Sequence, residues 1–478
     1  MPPASCAAKA GTPADDCLVC RSRPGGLTQV PPSVLVHAGG GSLVPGSLAE
    51  RQALLACRRA ARAALQQLAR CPGHLPTGCT RLPMDEASAA LEAAVAAAEV
   101  LERSTGPNAG LDSTLTLRTG RVEADAAVMC GRAGDFGGLA ACPGILRPVR
   151  LALAVLQRSR AGSGSGLDPG GRVLPCLLSG EGGWTLGREL DASKYPCSEE
   201  PLVVDRPTYA EALVSGALVT EKRAAQRIRL LDVYARNAKR ARLSPAAHPG
   251  NAHAEVPASG REPAPSDSPA SVPPGGDTIG VCVIDGAGRV ACATSSGGIW
   301  LKEEGRVGSS PLLGAGLYAS AFRRESGRYG PRPMPPVGVC TTGRGEQIIR
   351  TQLAREMADA VSQAGDPLIE VLGRAFRHTF LDAPQLSSHP VRDGGCIVMT
   401  ASREDCSVDI GWAHSTDTLP VAFGRLEWDP AAARWRVGRI QALISRRPAR
   451  VNAGPGLTTG GAHFPGVQAA DAPPGPSL

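Results

Sequence analysis

The residues best suited to chemistry lie between 275 and 316. Asp277-Thr278 closes a long Pro- and Ser-rich stretch, and an apolar strand of Ile279, Val281, Val283 and Ile284 begins at once. Were the Asp277–Thr278 bond cut, Thr278 would carry a hydroxyl and a free α-amine, and the amine could act as general base for its own hydroxyl. Taken alone, a threonine that opens a strand is commonplace and signifies nothing. The residues beyond the strand change the odds. Asp285-Gly286-Ala287-Gly288 reads as a hairpin turn and Val290–Thr294 as the returning strand. The hairpin returns Ser296 to the side of Thr278, within reach of its amine or hydroxyl. A Gly-rich loop comes next, from Lys302 through Arg306 and Ser309 to Gly316. Arg306 on such a loop suits bidentate capture of a carboxylate; by itself it would be an ordinary surface charge.

The rest of the chain supplies elements to position these groups. A strand over 33–37 leads into Gly39-Gly40-Gly41, a turn that lets backbone N–H groups approach a ligand closely. A helix over 48–70 opens with a capping box of Ser47 and Glu50, and Leu54, Ala61, Leu65 and Leu68 mark its buried face. A second helix over 86–103 buries Leu91, Val95 and Ala98. Asn108 after Pro107 is a turn residue by type. Residues 159–172 read as a surface loop and 173–178 as a segment re-entering the core. A basic helix spans 208–243. Its charges would ordinarily form a solvated face, but Lys239-Arg240-Ala241-Arg242 beside a tether also suits a nuclear-import receptor. Nucleic-acid binding fits less well, because only Tyr234 is near to stack on a base. Residues 244–276 cannot pack and form a linker. Thr342-Gly343 precedes a helix over 346–361, whose first N–H groups make an oxyanion or anion site. It is no phosphate loop, since the Lys-Ser/Thr pair is missing. Strands fill 395–445, and loose ends are expected over 1–32 and from about 452.

Composition bounds the class. At 478 residues with 42% hydrophobic content the chain can bury a large core, and with 3% aromatics alanine must do much of the filling. No run of eighteen apolar residues occurs, so no membrane partner is expected. The N-terminus lacks a basic-then-apolar signal pattern. Fifteen cysteines, an odd number scattered through strands and helices, suit a reducing compartment better than a disulfide framework. Cys17 and Cys20 form a CxxC with no second pair at zinc spacing, so no metal and no cofactor are expected.

Asp-Thr278-Ile-Gly, then Ser-Ser296-Gly-Gly, then Gly-Arg306-Val-Gly, in this order, resembles the type-2 asparaginase family of N-terminal-nucleophile hydrolases. The threonine aspartase branch (taspase) is the nearest likeness within it. Val34–Gly41, Gly106-Pro-Asn108-Ala-Gly110 with Glu123–Met129, Cys340–Glu346 and Ile410–Thr416 extend the likeness over most of 33–445. Each motif is weak singly; six in the family's order are strong together.

The resemblance implies a four-layer αββα sandwich with Thr278 at the end of a central strand. It divides the chain into an extension (1–32), an α-subunit part (33–243), a linker ending at the cut (244–277), a β-subunit part (278–451) and a tail (452–478). Thr278 would attack the carbonyl of Asp277, turning the peptide into an ester that water then opens. The product would be an αβ heterodimer or (αβ)2. Ser296 would orient the amine or hydroxyl, Thr342 and the Gly343 N–H would hold the oxyanion, and Asn108 and Gly39 would line the substrate site. Arg306 would hold a substrate carboxylate. Asparaginases carry an Asp three residues after that Arg to hold the substrate ammonium; here it is Ser309. An unpaired buried ammonium is costly, so Ser309 favours an internal peptide cut after aspartate, although Glu303 and Glu304 could supply the acid. Thr342 departs from the aspartase, which tends to have Ser there. The aspartase's substrates are nuclear transcription regulators cut at an Asp-Gly bond, which fits the basic cluster and a nuclear location, with the cytoplasm second. The alternatives are an asparaginase or isoaspartyl peptidase, and a scaffold that has lost activity.

Overall fold

The strand Ile279–Ile284 is apolar or small throughout because both its faces are covered. Val281 and Val283 join a core under a layer of helices, whereas Cys282 and Ile284 join a second core facing another sheet. This period-two division follows from the alternation of side chains along a strand. It organises the whole molecule.

The computed structural model describes residues 22–23, 26–70, 88–132, 134–160, 171–193, 200–214, 218–243, 278–321, 323–327, 330–429, 431–432, 434–448 and 456–468. Asp277, the tether before it, and Cys17 and Cys20 lie outside the described residues. The first strands are β1 (Ser22–Arg23), β2 (Gly26–Gln29), β3 (Ser33–His37), β4 (Glu123–Cys130), β5 (Asp135–Pro143), β6 (Leu177–Ser179), β7 (Ile279–Ile284) and β8 (Val290–Ser296). Then come β9 (Leu317–Ser320), β10 (Arg323–Gly327), β11 (Gly330–Met334), β12 (Val337–Gly343), β13 (Gly394–Ala401) and β14 (Val408–His414). The last are β15 (Thr418–Asp429), β16 (Arg434–Val437), β17 (Gln441–Arg446), β18 (Thr458–Phe464) and β19 (Val467–Gln468). The α-helices are α1 (Leu48–Arg70), α2 (Ser88–Glu102), α3 (Pro148–Arg160), α4 (Gly180–Ala192), α5 (Tyr209–Val214), α6 (Glu221–Leu243), α7 (Gly345–Thr351), α8 (Leu353–Gln363) and α9 (Leu368–Phe376).

Among the described residues, the larger sheet runs β16-β15-β3-β7-β8-β4-β5-β6, with β17 also on β15, and the smaller runs β18-β14-β13-β12-β9. Helices α1, α2 and α3 cover the outer face of the larger sheet; α8 and α9 cover that of the smaller one. The sheets meet face to face through β7, β12 and β13. The layers are therefore αββα. Alanines 56, 60, 61, 64, 90, 93, 94, 97 and 98 fill the helix-side core, as the scarcity of aromatics requires.

Several expected elements differ. The helix expected over 346–361 is broken at Gln352, which takes the left-handed conformation (φ 46°) and ends α7 before α8 begins. The basic helix over 208–243 is two helices, α5 and α6. The re-entry expected of residues 173–178 is limited to Leu178, half-buried against the helix-side core. Val173 is exposed, and Leu177 and Leu178 begin a short edge strand parallel to β5. The reading of 1–32 and 452–478 as loose also fails where the ends are described. β18 extends the smaller sheet against β14, and β19 pairs with β2. Their sequences carry no apolar alternation because backbone pairing holds them. Gly460 packs on the Trp412 ring, where a Cβ would come within 2.5 Å.

Candidate active site

Thr278 begins the central strand, and its neighbours follow from register. His37 lies opposite Gly280 on one side of β7, and Ser295 opposite Ile279 on the other. Continuing both registers sets Gly39 and Ser296 on either side of Thr278. The alternation that turns Gly280 and Cys282 toward the smaller sheet also turns Thr278 that way. Thr342 ends β12 in that facing sheet. Thr278, Ser296 and Thr342 are all buried.

The Gly39 turn is built by a residue whose role the motif reading passed over. His37 is wholly buried, and its Nδ1 accepts a hydrogen bond from the Gly39 N–H at 3.2 Å. Burial pushes the imidazole down to about 3, so it stays neutral, with its proton on Nε2. Gly39 has φ 95°, which favours glycine. The next N–H, of Gly40, donates to Thr342 Oγ1 at 2.9 Å, joining the two sheets at the site. A hydroxyl that accepts this bond keeps its own proton for an oxyanion. Gly343 has φ 128°, and a Cβ there would come within 2.4 Å of the Asp393 carbonyl oxygen.

Ser296 Oγ accepts from the Gly298 N–H at 3.0 Å, which tightens the turn after β8. Asn108 supports the same turn from behind. Its Nδ2 donates to the Gly298 carbonyl at 2.6 Å, its Oδ1 accepts from the Thr114 N–H at 2.9 Å, and its own carbonyl accepts from the Gly297 N–H at 2.8 Å. The side-chain groups expected to meet substrate are thus bonded to backbone. Asn108 therefore holds the Gly297-Gly298 turn in place.

Arg306 lies against this turn and the start of α7. Ideal Cβ atoms on Gly298, Gly308 and Gly345 would approach its guanidinium to 3.2, 3.0 and 2.7 Å. Its Nε and Nη2 both donate to Glu346 Oε1, at 2.9 and 2.8 Å. The first turn of α7 therefore presents a carboxylate as well as N–H groups. Behind Arg306 stand two charges, Lys302 and Asp125, to which the motifs gave no role. Lys302 is buried and donates from Nζ to the Glu123 carbonyl at 2.5 Å. Asp125, also buried, accepts from the N–H groups of Ala141 and Gly308, each at 2.8 Å. Burial pushes the Asp125 carboxyl up, while Lys302, these two N–H groups and Arg306 oppose it. Burial pushes Lys302 down, opposed by Asp125 and Glu123.

Ser309, buried beside Gly308, occupies the expected place on the loop. The two candidate replacements for an acid are turned elsewhere. Glu303 is exposed. Glu304 Oε1 accepts from the Arg118 and Thr119 N–H groups at 3.0 and 2.8 Å and from the Thr119 hydroxyl at 3.0 Å. Asp125 is committed to backbone.

Part of the basic helix is an anchor. Arg223 is buried on Asp112, at 2.9 Å from Nε to Oδ1, and its guanidinium lies 4.8 Å from the centre of the Trp300 ring. Arg227 donates to the carbonyls of Thr116, Leu117 and Arg118. Lys239 is exposed near the end of α6; Arg240 and Arg242 belong to the same helix. Among the described residues, no helix is long and apolar enough to cross a membrane.

Comparison with known proteins bears on this arrangement. A family model described as Asparaginase matches residues 34–163 and 235–404. A plant-type L-asparaginase of Pyrobaculum calidifontis is 31% identical over 278 residues, 58% of this chain and 68% of the relative. The isoaspartyl peptidase/L-asparaginase of Danio rerio is 27% identical over 336 residues, 70% and 78% of the two chains. A probable isoaspartyl peptidase/L-asparaginase 2 of Arabidopsis thaliana is 40% identical over 102 residues, which span 21% of this chain and only 27% of that relative.

Proposed function

Since the chain belongs to the asparaginase family of hydrolases, we propose that it is a threonine endopeptidase that cuts itself before Thr278 and then cuts protein substrates after aspartate. Thr278 Oγ attacks the Asp277 carbonyl, the peptide nitrogen leaves as the α-amine of Thr278, and water hydrolyses the ester. In each later cycle that amine takes the hydroxyl proton and passes it to the leaving nitrogen. Ser296 orients the nucleophile, Thr342 and the Gly343 N–H hold the oxyanion, and Arg306 holds the aspartate side chain.

The observation that carries the specificity is Ser309. A free amino acid or an isoaspartyl N-terminus brings an ammonium that needs an acid beside Arg306, and burying it unpaired is expensive. Glu303 is exposed, Glu304 is held by Arg118 and Thr119, Asp125 is held by Ala141 and Gly308, and Glu346, the acid on Arg306 itself, is held by the Arg306 Nε and Nη2. An internal peptide presents an uncharged amide there. Protein substrates in the nucleus, reached through an import receptor on Lys239, Arg240 and Arg242, accord with this reading.

The second reading, an L-asparaginase or isoaspartyl peptidase, is supported by the names of the relatives. Purified protein offered an Asp-Gly peptide, L-asparagine and an isoaspartyl dipeptide separates the two. Cleavage of the peptide with little ammonia from asparagine is expected; the reverse pattern would establish the second reading. Intact mass should give two fragments, the second beginning at Thr278, and Thr278→Ala should leave one chain without activity. An uncut, active wild type would sink both readings.

A further inference from the structure

Below the candidate active site, on the same inward faces, lie three cysteines. Cys282 stands four residues beyond Thr278 on β7, Cys292 four before Ser296 on β8, and Cys340 two before Thr342 on β12. The even spacing keeps each on the face of the hydroxyl residue above it. Cys282 and Cys292 are direct cross-strand partners, and Cys340 reaches them from the facing sheet. All three are 0% exposed. The Sγ–Sγ separations are 3.6 Å for Cys292–Cys282 and 3.7 Å for Cys282–Cys340, and all three sulfurs lie within 4.8 Å of one another.

We propose that Cys282, Cys292 and Cys340 form a three-sulfur capture site for a trivalent, three-coordinate thiophile, the class to which arsenous acid belongs. Three observations select this class. The first is size. Bonds of about 2.3 Å at the pyramidal angles of about 95–100° that the lone pair of trivalent arsenic imposes put its sulfurs about 3.4–3.5 Å apart. The Cys292–Cys282 and Cys282–Cys340 pairs therefore need to close by only a few tenths of an ångström. The second is ligand number. Among the described residues, no other Cys, His, Asp or Glu completes the group. His37 is near, since a Cβ on Gly280 would lie 2.2 Å from its Nε2 and 2.6 Å from the Cys340 Cβ. That Nε2 carries the imidazole proton, because Nδ1 accepts from Gly39. It has no lone pair to offer, and zinc, which seeks four ligands, is disfavoured.

The third is charge. The cluster sits in an apolar core with Leu35, Ile284 and Val290 on the same inward faces, where an unpaired charge is expensive. Cu(I) on three thiolates would leave two negative charges and Zn(II) one. Arsenous acid enters uncharged and leaves a neutral product. Three As–O bonds and three S–H bonds break, three As–S bonds form, and three waters depart. Nothing is oxidised or reduced. Occupancy would cross-link the two central sheets.

The test is native mass spectrometry of full-length protein held with sodium arsenite under argon, with melting followed in parallel. The expected result is a gain of one arsenic less three hydrogens per chain and a melting temperature higher by several degrees. Cys282→Ala, Cys292→Ala and Cys340→Ala should each abolish that adduct; Cys396→Ala, a buried cysteine outside the cluster, should keep it. No uptake by the wild type would overturn the proposal. So would an adduct one water heavier, the mark of two-sulfur capture elsewhere, or an adduct that survives Cys282→Ala. The wild-type measurement decides even where a variant fails to fold.

Discussion

Arg306 does not wait with an empty guanidinium: its Nε and Nη2 both rest on Glu346 Oε1, at 2.9 and 2.8 Å. The two residues are 40 positions apart, and the carboxylate side is about half exposed (53%) while the arginine is largely covered (14%). On the proposed reading, a substrate carboxylate competes with Glu346 for that edge. A partly exposed pair of this kind contributes at most about 1 kcal/mol. Glu346→Gln should therefore lower KM for an aspartyl substrate by about fivefold or less, with kcat little changed. Arg306→Ala should keep the fold and lose the preference for aspartate. Steady-state kinetics on peptides with Asp, Asn or Ala before the cut check both, and an Arg306→Ala enzyme that still chose aspartate would refute the assignment.

Thr342 offers a cleaner measure of the oxyanion role. Its hydroxyl accepts from Gly40 at 2.9 Å and can donate its own proton into the site. Thr342→Val keeps the shape and removes the donor together with the acceptor of the Gly40 N–H, so melting temperature is followed beside the kinetics. Turnover should fall by roughly 10²–10³ with KM nearly constant. A drop of less than tenfold would remove Thr342 from the machinery.

Asn108 should behave as a support. Asn108→Ala deletes a side-chain donor and an acceptor bonded to Gly298 and Thr114 inside the protein. Each group left unsatisfied costs about 1–3 kcal/mol. Melting temperature and kcat should fall together, whereas a residue that touched substrate would change KM at unchanged stability. Calorimetry beside kinetics distinguishes the two.

A pH effect arises from Glu102, which is buried at the end of α2. Burial pushes its carboxyl up to about 8, reinforced by Glu99 and opposed by the Ser295 hydroxyl, the Val149 N–H and Arg147. The folded value lies above the unfolded one. The folded state thus binds more protons between pH about 4.5 and 8, and stability from this group is full below that window and lost as pH rises through it. Glu102→Gln should flatten the decline, with the gap between the proteins widening up to pH 8. His37 and His414, pushed down to about 3 and about 4 by burial, act with opposite sign below pH 6.5. Denaturant melts at half-unit steps of pH give the curves; parallel curves would show that Glu102 is ionised in the fold.

Local signals made much of this molecule legible in advance. The capping box of Ser47 and Glu50 marks the start of α1, and the Glu50 N–H donates to Ser47 Oγ at 3.2 Å. The Asp285–Gly288 turn fixes the β7–β8 hairpin, and with it the nearness of Thr278 and Ser296, because register needs only the length of a turn. Such features lie within a few residues of one another, so chain connectivity alone enforces them.

What only the tertiary structure decided involves partners remote in sequence. Gly40 meets Thr342 across 302 residues, Lys302 meets Glu123 across 179, and Asn108 is spent on Gly298 across 190. The sequence determined which side chains could react and which of the nearby ones stand together. Whether a given polar group faces substrate or serves the backbone depended on the long-range packing of two sheets, and hydrogen bonds that close such large loops leave no periodic trace in the chain.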